Sequence, residues 1–146
     1  MRHITSNGLK LIKQFEGFSL TTYLDEVDLP TIGYGHLLKS HEIAAFKTGI
    51  TEAQAEELLK QDVSIAESAV ARLINVPLTD NQFDALVSFT FNIGAGALQR
   101  STLRAKLNRE EYWNVPHEMM RFVYAGDKKV PGLIMRRMAE IQLYSF

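Results

Sequence analysis

Glu16 is the first side chain whose setting suggests chemistry. It directly follows Phe15 and precedes Gly17, a residue type that ends helices. The negative end of a helix dipole disfavours an ionised carboxylate, and burial against Phe15 and Phe18 acts in the same direction. A carboxylic acid that keeps its proton near neutral pH is what general-acid catalysis needs. Asp25 follows nine positions after Glu16, and Thr31 fifteen positions after it. A hairpin turning at Asp25–Asp28 would bring Asp25 and Thr31 to one wall facing Glu16. Two carboxyls across a groove, one protonated and one ionised, are the parts of glycoside hydrolysis. On these residues alone a second reading stays open, with Glu16 a solvated helix end and Asp25 an ordinary turn residue.

The surrounding elements must hold those groups in place. Ser6 or Asn7 can cap a first helix that carries Leu9, Ile12 and Phe15 at helical spacing and stops at Gly17. From Phe18 to about Leu38, Thr, Tyr and Ile become frequent, which predicts short strands, with Gly33 and Gly35 permitting a further bend. Thr51-Glu-Ala-Gln54 is a capping box that opens a helix to about Ile74, with Ala55, Leu58, Leu59, Asp62, Ala66, Ala69 and Leu73 on its inner face. Thr79–Gln82 is a second capping box, ahead of a helix that Gly94-Ala-Gly96 breaks. Ser101 can cap a short helix to about Leu107. A further helical stretch is expected over about Glu110–Tyr124, interrupted at Pro116, and Pro131 opens a last helix to Tyr144. In that helix Ile134, Met138 and Ile141 form the stripe expected to pack inward, opposite Arg136 and Arg137. The fold class is α+β. One domain spans 1–146, with a sheet lobe at about 18–50, a helical lobe at 1–17 and 51–146, and a cleft between the lobes as the natural ligand site.

Composition narrows the alternatives. The 146 residues include no cysteine, so disulfide scaffolds, thiolate metal sites and Cys nucleophiles are excluded. The 46% apolar content is too high for a disordered chain, and no apolar run approaches a membrane span. A net charge of −1 argues against a dedicated nucleic-acid binder. The glycine pairs 33/35 and 94/96 lack the strand-to-helix context of a phosphate cradle. His3, His36, His41 and His117 lack ligand spacing, so no metal cofactor is expected. The near-neutral total hides an imbalance. Residues 1–96 carry 7 basic and 12 acidic side chains, and residues 97–146 carry 9 and 5. Such a split marks a binding face or two mutually facing surfaces.

Phe15-Glu16-Gly17-Phe18, Tyr23-Leu24-Asp25 and Thr31-Ile-Gly-Tyr-Gly-His36 together resemble the signature of the phage-type lysozymes, glycoside hydrolase family 24. Lys60-Gln-Asp62-Val, Phe91-Asn-Ile-Gly94-Ala-Gly96, Arg100-Ser-Thr102-Leu and Gly132–Glu140 resemble further family segments, in family order. Pro30 departs from the pattern, standing where members often have an aromatic residue and removing a strand donor.

The resemblance implies a lysozyme-like fold and a muramidase. Its substrate would be the β-1,4 bond between N-acetylmuramic acid and N-acetylglucosamine in bacterial peptidoglycan, cleaved with inversion. Glu16 would be the general acid. Asp25 and Thr31 would hold the attacking water, about 6.5–9.5 Å separating the two carboxyls. It further implies a structural ion pair between His36 and Asp62. His36, Leu37, Phe91, Asn92 and Ser101 would contact substrate, and Arg136 or Arg137 would approach Glu16. The expected setting is a monomer held in the host cytoplasm until a holin releases it to the wall, because no export signal is visible. The basic C-terminal part would make a secondary contact to the anionic envelope. A lytic transglycosylase, a non-catalytic wall-binding module and a membrane-disrupting C-terminal helix are the competing readings.

Overall fold

A computed structural model describes all of residues 1–146 and divides them into two compact units, Lys13–Ser64 and Met1–Ile12 with Ile65–Phe146. The element order is α1 (Ser6–Phe15), β1 (Ser19–Leu24), β2 (Pro30–Gly33), β3 (His36–Leu37), α2 (Ser40–Ala45), α3 (Glu52–Leu73), α4 (Asp80–Ile93), α5 (Ala95–Arg100) and α6 (Thr102–Asn108). A 3-10 turn (Tyr112–Asn114), α7 (Val115–Met119), β4 (Tyr124–Ala125), β5 (Lys128–Lys129) and α8 (Pro131–Tyr144) complete it. No helix is long and apolar enough to cross a membrane.

In the 13–64 unit, β1, β2 and β3 form an antiparallel sheet in that order. Tyr23 and Leu37 both pair with Thr31, while His36 pairs with Ile32. Side chains directly opposite one another share a face and neighbours along a strand alternate. One face therefore carries Tyr23, Thr31 and Leu37, and the other carries Ile32 and His36. Ile32 anchors that second face in a core with Ile50, Ala55 and Leu58, against which Tyr34, Leu38 and Phe46 pack. Gly33 has φ +64°, and a Cβ there would lie 3.4 Å from that of Ala55. Glycine at this position lets the strand turn and lie close against α3. The sheet unit is wider than 18–50 because Ala55 and Leu58 of α3 complete this core. Pro30 sits at the first position of β2, where proline is tolerated, and pairs with Leu24. The irregularity in β1–β2 lies at the other end, between Ser19 and Tyr23.

In the other unit, both ends of α4 match the sequence signals. Thr79 caps it reciprocally with Gln82, and Gly94 ends it at φ +93°. The inner positions Phe83, Leu86, Val87 and Phe89 are buried together with Leu98, Leu103, Leu107 and Met119. Two buried carboxylates tie down the N-terminal strap. Glu67 accepts the Ile4 N–H at 2.6 Å and Asp84 the Thr5 N–H at 2.9 Å.

The 110–124 stretch is not one interrupted helix. Glu110 adopts φ +63° and breaks the chain before the 3-10 turn. Pro116 lies in the first turn of α7, where its missing N–H costs nothing, and Tyr124 belongs to the β4–β5 hairpin. α8 also corrects the expected packing. Arg136, Arg137, Glu140 and Tyr144 are its buried residues, whereas Met135 and Met138 are 63% and 59% exposed. The arginines turn inward because Glu140 pairs with both of them there. The charge imbalance follows the units. Lys13–Ser64 holds 4 basic and 9 acidic residues, and the remainder holds 12 and 8.

Candidate active site

Glu16 lies just past the end of α1, half-buried, and lines an open cavity of about 560 Å³. Tyr23, Asp25, Thr31, Gly35 and Leu37 line the same cavity. The sheet register explains the grouping, since Tyr23, Thr31 and Leu37 share one face and Asp25 follows Tyr23 by two. Glu16 reaches the cavity past Gly35, which has φ +75°. A Cβ at that position would stand 3.3 Å from Glu16 Oε1.

One backbone residue couples Asp25 to Thr31. The Leu29 N–H donates to Asp25 Oδ1 at 2.9 Å, joined there by the Val27 N–H at 2.9 Å. The Leu29 carbonyl accepts from the Asp25 N–H at 3.0 Å and from Thr31 Oγ1 at 2.9 Å. Asp25 is thus a turn residue and a cavity residue at once, so the two readings of it are compatible. Thr31 is buried and its hydroxyl proton is committed to Leu29, so the oxygen can only accept from a further partner. Burial, and then the carboxylates of Glu16 and Asp25, push the Tyr23 phenol above its ordinary value.

Residues 13–140 match the phage lysozyme family. The chain belongs to that family. It is 40% identical to the endolysin of Acyrthosiphon pisum secondary endosymbiont phage 1 over 146 residues, covering 97% of each chain. Among solved structures it is similar to a P22 lysozyme mutant, with TM-score 0.89, 35% identity and all of both chains covered. It is likewise similar to the muramidase domain of SpmX from Asticaccaulis excentricus, with TM-score 0.88, 32% identity, and 100% and 99% covered.

The other family positions fall as follows. His36 is turned to the face opposite Thr31 and Leu37, is buried, and lies outside the cavity lining. Strand alternation is what turns it away from the face that lines the cavity. It bonds Asp62 Oδ2 through Nδ1 at 2.8 Å and Glu42 Oε1 through Nε2 at 3.0 Å. Burial would lower the imidazole, but the bonds to Asp62 and Glu42 outweigh it and raise it. Glu42 also accepts the Lys39 N–H at the start of α2. Burial would raise the Glu42 carboxyl, while Lys39 and His36 hold it below the usual range.

Sequence reasoning missed Glu42 because α2 has no apolar period to reveal it. It also passed over Tyr23 as a cavity residue, though alternation from Asp25 points to it. Leu37 lines the cavity and is exposed.

Phe91, Asn92 and Ser101 belong to the other unit. Phe91 is half-buried and Asn92 exposed. Asn92 does not cap α4, a role that Gly94 takes; its Oδ1 accepts from Arg137 at 2.7 Å. The Ser101 hydroxyl is occupied in the backbone, donating to the Leu98 carbonyl and accepting the Arg104 N–H at the start of α6.

Proposed function

We propose that the chain cleaves the β-1,4 bond between N-acetylmuramic acid and N-acetylglucosamine with inversion, using Glu16 as general acid and Asp25 with Thr31 to hold the attacking water. The chain is a lysozyme of the phage endolysin class, a glycoside hydrolase acting on peptidoglycan. The observation that carries the assignment of roles is the Leu29 peptide link, which fixes Asp25 and Thr31 together in the cavity that Glu16 lines.

Glu16 donates its proton to the glycosidic oxygen as the bond to the leaving sugar breaks. The Thr31 oxygen accepts one hydrogen of a water, and the Asp25 carboxylate takes the other as the water attacks the anomeric carbon. Asp25 also offsets the oxocarbenium-like charge of the transition state. The Val27 and Leu29 N–H groups on Oδ1 keep Asp25 oriented. We further infer a monomer that waits in the host cytoplasm for holin-dependent release, with the basic unit providing a secondary contact to the anionic envelope.

The test is turbidity clearing of purified cell wall by wild type and Glu16→Gln, with product analysis. The variant is expected to lose roughly 10²–10⁴-fold in rate, and wild type to release reducing sugar of inverted configuration. Anhydro-sugar products would point to a transglycosylase, and retention would require a covalent intermediate. Wall binding without cleavage by wild type would make the chain a binding module.

A further inference from the structure

Beneath the exposed Asn92 lies a buried charged network whose use differs from packing. Glu140 is fully buried. Its Oε1 stands 2.7 Å from Arg137 Nε. Its Oε2 accepts from Ser88 Oγ at 2.6 Å, from Arg137 at 3.3 Å and from Arg136 Nε at 3.3 Å. Arg137 is also fully buried and donates to the Phe122 carbonyl at 3.2 Å and to Asn92 Oδ1 at 2.7 Å. Its guanidinium lies over the Phe89 ring, 5.1 Å from the centroid. Both terminal nitrogens of Arg137 donate hydrogen bonds and its Nε lies at ion-pair distance from Glu140, so the plane of the group is held.

Apolar residues of similar volume often pack as well as a buried ion cluster, or better, so stability alone does not account for this one. Its geometric consequence is specific. Arginine has donors and no acceptor, so the atom Asn92 turns toward it is the carbonyl oxygen. The amide is planar, and its NH₂ group must then point the other way. Because Asn92 is exposed, two N–H donors are held outward in one orientation.

We propose that Glu140 is a positioning residue for substrate binding. Through Arg137 it fixes the Asn92 amide so that Nδ2 donates to an oxygen acceptor on the glycan. The proposal rests on the muramidase reading above and specifies one contact of that activity.

The experiment measures KM and kcat on soluble peptidoglycan fragments, after wild type has been shown to cleave them. Failure at that first step would overturn the muramidase reading instead. Asn92→Asp keeps the oxygen that Arg137 holds and replaces the outward donor with an acceptor. It is expected to raise KM about tenfold with kcat within about twofold and with an undiminished melting temperature. Glu140→Gln is expected to raise KM in the wild-type background and to add nothing in an Asn92→Ala background. An unchanged KM in Asn92→Asp would overturn the proposal, as would an equal KM effect of Glu140→Gln in both backgrounds. Should Glu140→Gln not fold, Arg137→Lys in the same two backgrounds replaces it, because lysine cannot hold Glu140 and Asn92 together.

Discussion

Replacing Asp62 by Asn removes one charge from the clamp around His36 while leaving an acceptor in place. In the native clamp the imidazole side chain is 6% exposed, and its carboxylate partners Asp62 and Glu42 are 31% and 13% exposed. Both ring nitrogens face carboxylate oxygens, so both must donate, and the ring is an imidazolium. Rupture of a buried ion pair costs about 3–5 kcal/mol, and a hydrogen bond to a charged group contributes about 1.5–3 kcal/mol. Asn still accepts, and water partly screens position 62, so the loss falls in the lower range, about 1.5–2.5 kcal/mol. For a chain of this length that lowers the melting temperature by roughly 3–10 °C.

The pH dependence separates this account from simple loss of packing. A histidine whose folded value is raised contributes stability that is complete below its ordinary value of 6.5. That contribution is lost as pH rises through the folded value. Thermal unfolding followed by circular dichroism should show the larger gap between wild type and Asp62→Asn at pH 6 and a smaller one at pH 9. A gap of equal size at both, or none at either, would refute the clamp. Glu42 acts with the opposite sign. Its value is lowered, so its contribution is present above the usual carboxylate range and fades as pH falls through the folded value. Glu42→Gln should therefore lose its effect on the acidic side.

Four further outcomes are expected. Asp25→Asn keeps an acceptor for the Val27 and Leu29 N–H groups, so wall clearing should fall at least about 100-fold with little change in melting temperature. Asp25→Ala should lose both activity and stability. Gly35→Ala places a Cβ 3.3 Å from Glu16 Oε1 at φ +75°; about 1–2 kcal/mol of backbone strain should appear in calorimetry, together with a disproportionate fall in clearing rate. Reversing the exposed Lys128 and Lys129 to Glu in the basic unit should weaken sedimentation with cell wall at low salt. The difference should vanish by about 0.5 M salt, where screening is short-ranged, and turnover of soluble fragments should persist.

The sequence by itself determined the features that depend on neighbouring residues. The capping boxes at Thr51 and Thr79 and the inner face of α3 follow from local spacing, as does the turn at Asp25. The structure contains each of them. The Glu16–Asp25–Thr31 spacing likewise carried the family resemblance. Tertiary structure decided what spacing leaves open. Strand alternation sent His36 to the face away from the cavity, and α2 supplied Glu42 as its second carboxylate. The same level of organisation inverted the reading of α8. Hydrophobic periodicity assigns charge to water because an isolated ion is costly to bury. Glu140, Ser88 and Asn92 compensate Arg136 and Arg137 from positions 3 to 48 residues away. Only folding brings those partners together, and so only the fold could place two arginines inside and two methionines outside.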